Sequence, residues 1–260
     1  MSYFTEGAYT INGGPLTVRT AGDGRPVVHL HSAGGPRTSQ TFKQLAQAHA
    51  VHQPVCPGFE GTPRHPALAA ITDYADLVAE YIKNHCGGEC DIVAESFGGW
   101  VALWLAARHP DIVGQMVLEA PAGLCPPGKG GLPADPQERF AKLYAHPENA
   151  PQDNRPVEVL QGNGAVFMDF GGLVFDEALA AKLPEIRART LVLMGTLDEI
   201  IPPETGQLLK AKLPLSHLTY IWDAAHSLEI DQPEKVAAIA MDFLDRGESF
   251  IVRPGKDAAE

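Results

Sequence analysis

Cysteine is scarce in this chain, and its scarcity limits the cross-links and metal sites to be expected. The 260 residues include only four cysteines. Only Cys86 and Cys90 lie close together, and a pair without two further ligands nearby is a weak signal for zinc. We therefore expect reduced thiols, no disulfide framework and no bound metal.

Positive charge is also in short supply. Lysine and arginine total 20 residues against 32 aspartates and glutamates, which gives a formal net charge of -12 at pH 7. An acidic surface repels the phosphate backbone of nucleic acids and the anionic headgroups of membranes. We expect neither nucleic acid nor membrane as a partner, and the oligomeric state is left unknown.

Long apolar runs are absent from the sequence. The longest spans residues 100–107, and it is far shorter than the roughly 20 residues that a bilayer crossing needs. Residues 1–10 do not contain a basic stretch followed by an apolar one, so no secretory signal is visible. From these missing signals we expect a cytoplasmic protein.

Complete nucleotide-binding motifs are missing as well. Residues 123–129 have the Gly-x-x-x-x-Gly-Lys skeleton of a phosphate-binding loop, but Gly130 replaces the required serine or threonine, and two prolines interrupt the loop. The Gly-Asp-Gly sequence at 22–24 lacks the third glycine of a dinucleotide site and leads into a predicted strand. We expect no bound cofactor.

The composition that remains is that of an ordinary globular protein, 45% apolar and 20% charged, and the length fits one large domain. Two extended segments flank a turn signal and predict a hairpin. Strand-like and helix-like stretches then alternate, which predicts a mostly parallel sheet covered by helices on both faces. The predicted strands are 4–11, 16–20, 27–30, 51–55, 91–94, 116–118, 190–194 and 218–222, and the predicted helices are 41–48, 74–84, 100–108, 204–213 and 234–244.

Residues 121–184 break this alternation. The segment is rich in proline and glycine, yet it carries several aromatic side chains, among them Phe167 and Phe170. Because these side chains have apolar surface to bury, we interpret the segment as a small cap laid over the sheet. The resulting division is an α/β core at 1–124 and 185–250, a cap at 125–184 and a polar tail at 251–260.

Ser96 lies in a turn between a predicted buried strand and a predicted helix. Ala94 stands two residues before it and Gly98 two residues after it, which is the Gly-x-Ser-x-Gly nucleophile elbow with alanine in the first small position. Such a turn strains the serine backbone, lifts the hydroxyl above the sheet and tolerates only small neighbours. The competing interpretation is a serine cap of an ordinary crossover helix. We predict that Ser96 is a nucleophile.

A serine nucleophile needs a base, and on a fold with this elbow the order along the chain is serine, acid, histidine. Only His217 and His226 lie late enough in the sequence. His217 lies within or just ahead of a predicted strand, where it would pack or face solvent. His226 follows that strand at its carboxyl end, where catalytic groups gather in open α/β sheets. We therefore predict His226 as the base, against the alternative of an exposed loop histidine.

Asp198 ends the turn that follows the predicted strand 190–194, and we predict that it is the acid that orients the base. Glu199, Glu119 and Asp223 stay as alternatives. Glu119 ends the preceding strand of the sheet, from where a side chain can also reach the histidine. Asp223 stands three residues before His226 and is better placed to shape its loop.

Small residues follow the strand at 27–30, in the sequence His31-Ser32-Ala33-Gly34. Small side chains let backbone N–H groups approach a substrate oxygen closely, although a loop of this composition can also be purely structural. We predict the N–H of Ala33 as one oxyanion donor, with Ser32 and Gly34 as alternatives within one residue of it. The N–H of Phe97 is the predicted second donor, and His31 is expected to brace the loop.

Together these features resemble the α/β-hydrolase superfamily over almost the whole chain outside the cap. Further matching positions are the Pro-Gly-Phe-Glu-Gly sequence at 57–61, the Leu-Pro-Glu-Ile-Arg-Ala sequence at 183–188 and Pro233. The resemblance implies the α/β-hydrolase fold, with a mostly parallel central sheet, helices on both faces and a small cap inserted after the sixth strand. It also implies a catalytic triad and two oxyanion donors, namely Ser96, Asp198 and His226 with Ala33 and Phe97.

Within that superfamily the chain resembles small cytoplasmic esterases and the hydrolases that cleave carbon–carbon bonds in ring-fission products. We expect a serine hydrolase that acts on a small molecule, a small to medium ester, thioester or lactone, through an acyl-enzyme. The alternatives are a carbon–carbon bond hydrolase acting on a ring-fission diketone and a non-catalytic ligand-binding protein on the same fold. Ser227 stands where the carbon–carbon hydrolases often carry tryptophan, and Ser32 and Val55 replace a glycine and an aspartate common in the superfamily.

Overall fold

The centre of the molecule is one eight-stranded sheet, seen in a computed structural model that describes residues 3–251 of the chain. The strands are β1 (Thr5–Ile11), β2 (Gly14–Ala21), β3 (Arg25–Leu30), β4 (His49–Val55), β5 (Cys90–Glu95), β6 (Val113–Glu119), β7 (Arg189–Gly195) and β8 (Ser216–Ile221). Their order in the sheet is β1-β2-β4-β3-β5-β6-β7-β8. β1 and β2 form an antiparallel hairpin, β2 is antiparallel to β4, and all other neighbours are parallel. The predicted hairpin and mostly parallel sheet are confirmed.

Helices cover both faces of this sheet. They are α1 (Gln40–Ala48), α2 (Ile71–His85), α3 (Phe97–Arg108), α4 (Pro136–Leu143), α5 (Val157–Asp169), α6 (Glu177–Lys182), α7 (Pro203–Lys212), α8 (Leu228–Asp231) and α9 (Pro233–Arg246). Short 3-10 turns lie at Phe59–Gly61, Pro110–Ile112, Pro147–Asn149, Leu183–Glu185 and Gly247–Ile251. Successive side chains of a strand point to opposite faces, and residues 91–94 of β5 are all buried, so both faces are covered there. Within residues 3–251 none of the helices has both the length and the apolar character that a membrane crossing requires.

Each predicted strand and helix outside residues 121–184 has a counterpart in the structure, and the predicted and observed ends differ by a few residues at most. The five predicted helices correspond to α1, α2, α3, α7 and α9. The short helix α8 was not predicted from the sequence. Of the predicted polar tail at 251–260, residues 252–260 lie outside the described residues.

Residues 121–184 contain helices that the sequence pattern does not predict. Leu124 and Phe175 of this segment pair in an isolated antiparallel bridge. The N–H of Asp176 donates to the carbonyl of Gly123 at 2.8 Å beside that bridge. α5 lies beyond the bridge and packs against the 3-10 turn at Phe59–Gly61. The chain segments that lead into and out of residues 125–174 therefore run side by side.

One carboxylate joins the helix that follows Ser96 to the end of this insertion. Trp100 and Trp104, both buried in α3, donate their indole N–H groups to Asp176 Oδ2 at 3.0 and 2.8 Å. The other oxygen, Asp176 Oδ1, accepts the N–H of Leu179 at 3.0 Å and so caps α6. The two tryptophans thus pack in the core, and their polar atoms meet on a single acceptor.

We expect Asp176→Ala to lower the free energy of unfolding by about 3 kcal/mol, because two buried N–H groups lose their acceptor and α6 loses its cap. Urea unfolding followed by tryptophan fluorescence measures the change. Glu177→Ala is the matched control, since Glu177 is exposed in the first turn of the same helix and should change the stability by about 0.5 kcal/mol or less. Equal losses in the two variants would contradict the assigned role of Asp176.

Candidate active site

The backbone of Ser96 adopts a conformation that non-glycine residues rarely hold. Its φ is 51° and its ψ is -109°, at the junction of β5 and α3. The Ser96 N–H donates to the carbonyl of Glu119 at 2.8 Å. The Ser96 carbonyl accepts the N–H groups of Gly99 and Ala122, both at 2.9 Å. These bonds to the next strand and to the following helix hold the strained turn in place.

The predicted small neighbours of Ser96 are explained by the contacts of this turn. A Cβ atom on Gly98 would lie 2.2 Å from the carbonyl oxygen of Leu30 at the end of β3, so only glycine fits there. Ala94 is fully buried at the end of β5. The start of α3 therefore lies directly against the carboxyl end of β3, as a nucleophile elbow requires.

Three side chains predicted from the sequence form one hydrogen-bonded chain. The Ser96 hydroxyl lies 3.0 Å from Nε2 of His226, although the two residues are 130 positions apart. Nδ1 of the same ring lies 2.9 Å from Asp198 Oδ2. In the tautomer that the carboxylate favours, Nδ1–H donates to Asp198 and Nε2 accepts the Ser96 hydroxyl. All three residues are buried, so water competes little with these bonds.

The second oxygen of Asp198 fixes the orientation of its carboxylate. Asp198 Oδ1 accepts the N–H of Ile200 at 2.8 Å and the N–H of Ile201 at 2.9 Å. Both donors belong to the turn that follows β7, so the backbone itself aims the carboxylate. Oδ2 is left to face the imidazole of His226.

The alternative acids Glu199 and Asp223 and the alternative base His217 have other surroundings. Glu199 is within 3.3 Å of the ammonium group of Lys142 in α4. Asp223 hydrogen-bonds the ring of His146 at 2.9 Å. His217 lies in β8 and is half-buried. Among the described residues, Asp198 is the carboxylate that contacts the ring of His226.

Glu119, the third alternative acid, is buried in the core behind the turn. Its two carboxylate oxygens are inaccessible and have no hydrogen-bond partner among the described residues. Burial, with smaller contributions from the charges of Glu229 and Glu95, raises the pKa of Glu119 well above its ordinary value. A carboxyl group in this environment is protonated at neutral pH, so its electrostatic effect on His226 is that of a neutral group.

The pKa of His226 reflects a balance of opposing effects. Burial alone lowers it, but the Asp198 carboxylate, through its charge and its hydrogen bond, together with the charge of Glu95, raises it above the ordinary value of 6.5. A raised pKa means that the protonated ring is stabilised. This is the form that a base adopts after it removes a hydroxyl proton.

The loop after β3 forms a tight turn around the predicted oxyanion donor Ala33. The N–H of Gly35 donates to the carbonyl of Ser32 at 3.0 Å. His31 braces the turn: its Nδ1–H donates to the Ser32 carbonyl at 2.8 Å, and its Nε2 accepts the N–H of Cys56 at 3.0 Å. Burial lowers the pKa of His31 to about 4, so the ring is neutral and can make both bonds. The bracing role predicted for His31 agrees with these contacts.

Phe97, the predicted second donor, is the first residue of α3, and its side chain joins an aromatic cluster. The ring is fully buried and stacks on Phe59 and Phe170 at centroid distances of 5.6 and 5.7 Å. Phe167 meets it edge-on at 5.8 Å. Because Phe167 and Phe170 belong to or follow α5, this cluster attaches the inserted segment to the nucleophile turn and makes one side of the site apolar.

The other side of the site is charged, and its residues were missed in the sequence. Glu95, Glu229 and Arg37 line a cavity of about 730 Å³. Glu95 could have been noticed, because it directly precedes Ser96 in the elbow motif. Glu229 and Arg37 carry no local signal, since only the tertiary structure brings α8 and the loop after β3 together. Across residues 3–251 no group of three or more His, Cys, Asp or Glu side chains is arranged to hold a metal ion.

Known proteins with similar sequences and structures are hydrolases. Residues 27–239 match the model of the alpha/beta hydrolase family. The chain is 27% identical to the 2-hydroxymuconate semialdehyde hydrolase of Pseudomonas sp. (strain CF600), over 89% of this chain and 91% of that one. It is 29% identical to the pimeloyl-(acyl-carrier protein) methyl ester esterase of Neisseria meningitidis serogroup B, over 65% of this chain and 74% of that one. A serine hydrolase involved in carbazole degradation has a similar fold, with a TM-score of 0.77 and 22% identity over 93% of this chain and 99% of that one.

We expect turnover to require neutral His226, so activity should be present above the pKa of this residue and lost below it. Because that pKa is raised above 6.5, the acid limb of kcat/KM should have its midpoint above 6.5. A rate profile from about pH 5 to about pH 9 measures it. A midpoint below the ordinary histidine value would contradict the assigned environment of His226.

Proposed function

The chain belongs to the alpha/beta hydrolase family, and we propose that it cleaves a small to medium ester, thioester or lactone through an acyl-enzyme formed on Ser96. The protein is an enzyme of the hydrolase class. The observation that carries the proposal is the buried hydrogen-bond chain from Ser96 through His226 to Asp198. This arrangement turns a weak alcohol nucleophile into a reactive one.

In the proposed acylation, His226 Nε2 removes the hydroxyl proton of Ser96 as Oγ attacks the substrate carbonyl carbon. The N–H groups of Ala33 and Phe97 stabilise the oxyanion of the tetrahedral intermediate. His226 then returns the proton to the leaving oxygen or sulfur, and the acyl group stays on Ser96. Asp198 keeps its own charge throughout, holding the tautomer of the ring and stabilising its protonated form.

Deacylation repeats the same steps with water as the nucleophile. His226 takes a proton from the water, whose oxygen attacks the acyl carbon. The N–H groups of Ala33 and Phe97 stabilise the oxyanion of the second tetrahedral intermediate as they did the first. Its collapse breaks the bond to Ser96 Oγ, which recovers a proton from His226. The products are a carboxylic acid and the alcohol or thiol released earlier.

Residues 125–184 act, in this proposal, as a cap on a core formed by residues 1–124 and 185–250. The bridge between Leu124 and Phe175 supports an inserted segment of this kind. Phe167 and Phe170 support its placement beside the site, because their rings contact Phe97. An apolar wall of aromatic rings favours a substrate that is partly apolar.

A carbon–carbon bond hydrolase acting on a ring-fission diketone is the second candidate function. The observation in its favour is coverage: the 2-hydroxymuconate semialdehyde hydrolase aligns with 89% of this chain, whereas the esterase aligns with 65%. Ser227 argues against it, since the resemblance implies a tryptophan after the histidine in that group. A non-catalytic binding protein, the third alternative, would have no use for the hydrogen-bond chain at Ser96.

We expect the protein to hydrolyse p-nitrophenyl esters and to cleave a vinylogous diketone no faster than these esters. We also expect a fluorophosphonate to label Ser96 covalently. Ser96→Ala should lower turnover on the order of 10⁶-fold, because the nucleophile is lost, and should abolish labelling. Mass spectrometry of the labelled peptide identifies the residue. Preferred cleavage of the diketone would support the second candidate function, and an unlabelled Ser96 with no turnover would support a binding protein.

We expect Asp198→Asn to lower turnover by roughly 10⁴-fold, because an amide favours the wrong tautomer of His226 and does not stabilise its protonated form. Glu119→Gln is the matched control: it replaces a neutral buried acid by an amide of similar shape, so activity should remain close to that of the unaltered protein. Circular dichroism checks that both variants fold. An active Asp198→Asn with an inactive Glu119→Gln would reverse the assignment of the acid.

A further inference from the structure

A cavity of about 730 Å³ adjoins the proposed reacting centre on the side away from the aromatic cluster. Three of its lining residues are chain neighbours of the catalytic elements. Glu95 immediately precedes Ser96, Ser227 immediately follows His226, and Arg37 lies just beyond the turn that holds Ala33. Glu95 and His226 also influence each other's pKa through their charges, so the Glu95 wall of the cavity lies near the proposed base.

Several charged residues of the cavity are already neutralised by close partners. The Arg155 guanidinium lies 2.6 Å from both Asp153 and Glu60. Asp231 accepts three backbone N–H groups, at 2.8, 3.0 and 3.0 Å. Lys43 in α1 and Glu234 in α9, which have opposite charges, also line the cavity, and both are exposed. Arg155, Asp153 and Asp231 therefore already have polar partners, and the side chains of Lys43 and Glu234 are exposed.

Two carboxylates and one guanidinium remain. Glu229 is only 8% exposed, and its Oε1 has no hydrogen-bond partner among the described residues. Glu95 is partly exposed to the cavity from the carboxyl end of β5. The Arg37 guanidinium makes its side-chain hydrogen bond to the Tyr144 hydroxyl, at 3.5 Å. Among the described residues, neither Glu95 nor Glu229 forms an ion pair with Arg37, because neither carboxylate lies within 4.0 Å of its guanidinium.

The electrostatic environment of the two acids favours a positively charged guest. Burial raises the pKa of Glu95, the charge of Glu229 raises it further, and Arg37, His226 and His29 lower it. Burial also raises the pKa of Glu229, and the hydroxyls of Ser39 and Thr41 offset this in part. Desolvation thus destabilises the ionised form of each acid, and a nearby cation would stabilise that form. An anion in the same place would meet two carboxylates and a single guanidinium.

We propose that this cavity binds a primary ammonium group of the substrate, which donates hydrogen bonds to the carboxylates of Glu95 and Glu229 that line it. The inference rests on the proposed ester hydrolysis at Ser96 and names the substrate class for that site: an ester whose acyl chain ends in an amine. Charge-assisted hydrogen bonds of an ammonium to carboxylates are among the stronger polar contacts in proteins. The aromatic side of the site then receives the apolar leaving group.

Three p-nitrophenyl esters of matched length test the inference through kcat/KM at about pH 8, where an aliphatic amine is protonated. They are the 6-aminohexanoate, the hexanoate and the adipate monoester, which end in an ammonium, a methyl and a carboxylate group. We expect the ammonium ester to be favoured over the methyl ester by about tenfold or more, and the carboxylate ester to be the poorest. Glu95→Gln and Glu229→Gln should each reduce the preference, and the double variant should lose it.

The control variant is Glu89→Gln, the same substitution at the exposed residue just before the other end of β5, which should leave the preference unchanged. Hydrolysis of the hexanoate reports on the proposed function alone, whereas the ratio between esters reports on the cavity. Equal use of the ammonium and methyl esters, or a preference that survives in the double variant, would overturn the inference and leave ester hydrolysis standing.

A binding measurement tests whether the cavity prefers a cation, and it does not require any turnover of substrate. Calorimetric titration of Ser96→Ala with hexylammonium and with hexanoate compares a cation and an anion of matched size. We expect hexylammonium to bind at least about tenfold more tightly, and this advantage to disappear in Ser96→Ala combined with Glu95→Gln and Glu229→Gln. Equal affinities, or tighter binding of hexanoate, would overturn the inference.

Discussion

The positive φ of Ser96 is the constraint on which the rest of the site depends. This strained backbone persists because the Ser96 N–H and carbonyl are both hydrogen-bonded, to Glu119 of the adjacent strand and to Gly99 and Ala122. The turn directs the hydroxyl of Ser96 towards His226 and starts α3 against the end of β3, where Gly98 is the only residue type that fits. The same turn places Phe97 at the centre of the aromatic cluster.

Parallel strands explain why residues distant in the chain converge at this turn. The carboxyl ends of β3, β5, β7 and β8 lie along one edge of the sheet, and each is followed by a loop that carries part of the site. Asp198 follows β7 and His226 follows β8, which are neighbours in the sheet. The hydrogen bonds between Ser96, His226 and Asp198 are consequently a product of topology. Each loop then needs only local bonds, such as those from Ile200 and Ile201 to Asp198, to aim its side chain.

The surroundings of this centre differ in character from one side to the other. Aromatic rings of the inserted segment pack against Phe97 on one side, and on the other Glu95 and Glu229 line a charged cavity. Burying a carboxyl group without a partner costs on the order of several kcal/mol unless the group takes up a proton. The carboxylate oxygens of Glu119 are inaccessible and have no hydrogen-bond partner among the described residues, and burial raises its pKa well above the ordinary value. Glu95 and Glu229 differ from it because they line the cavity, where a ligand can supply the missing partner.

The strands, the main helices and the elbow at Ser96 could be predicted from the sequence, because alternating apolar runs, turn residues and small neighbours are local signals. The same is true of the positions of Asp198 and His226 at strand ends, since parallel topology follows from the order of the elements. Only the tertiary structure decided which carboxylate contacts the ring of His226, because Glu119 at the end of β6 and Asp198 in the turn after β7 differ in how their side chains pack. α5 was missed because glycines flank Asn163, and its contacts with the turn at Phe59–Gly61 stabilise a helix that propensity disfavours. The proximity of Glu95 and Glu229 was equally out of reach, since only the tertiary structure brings together segments more than a hundred residues apart.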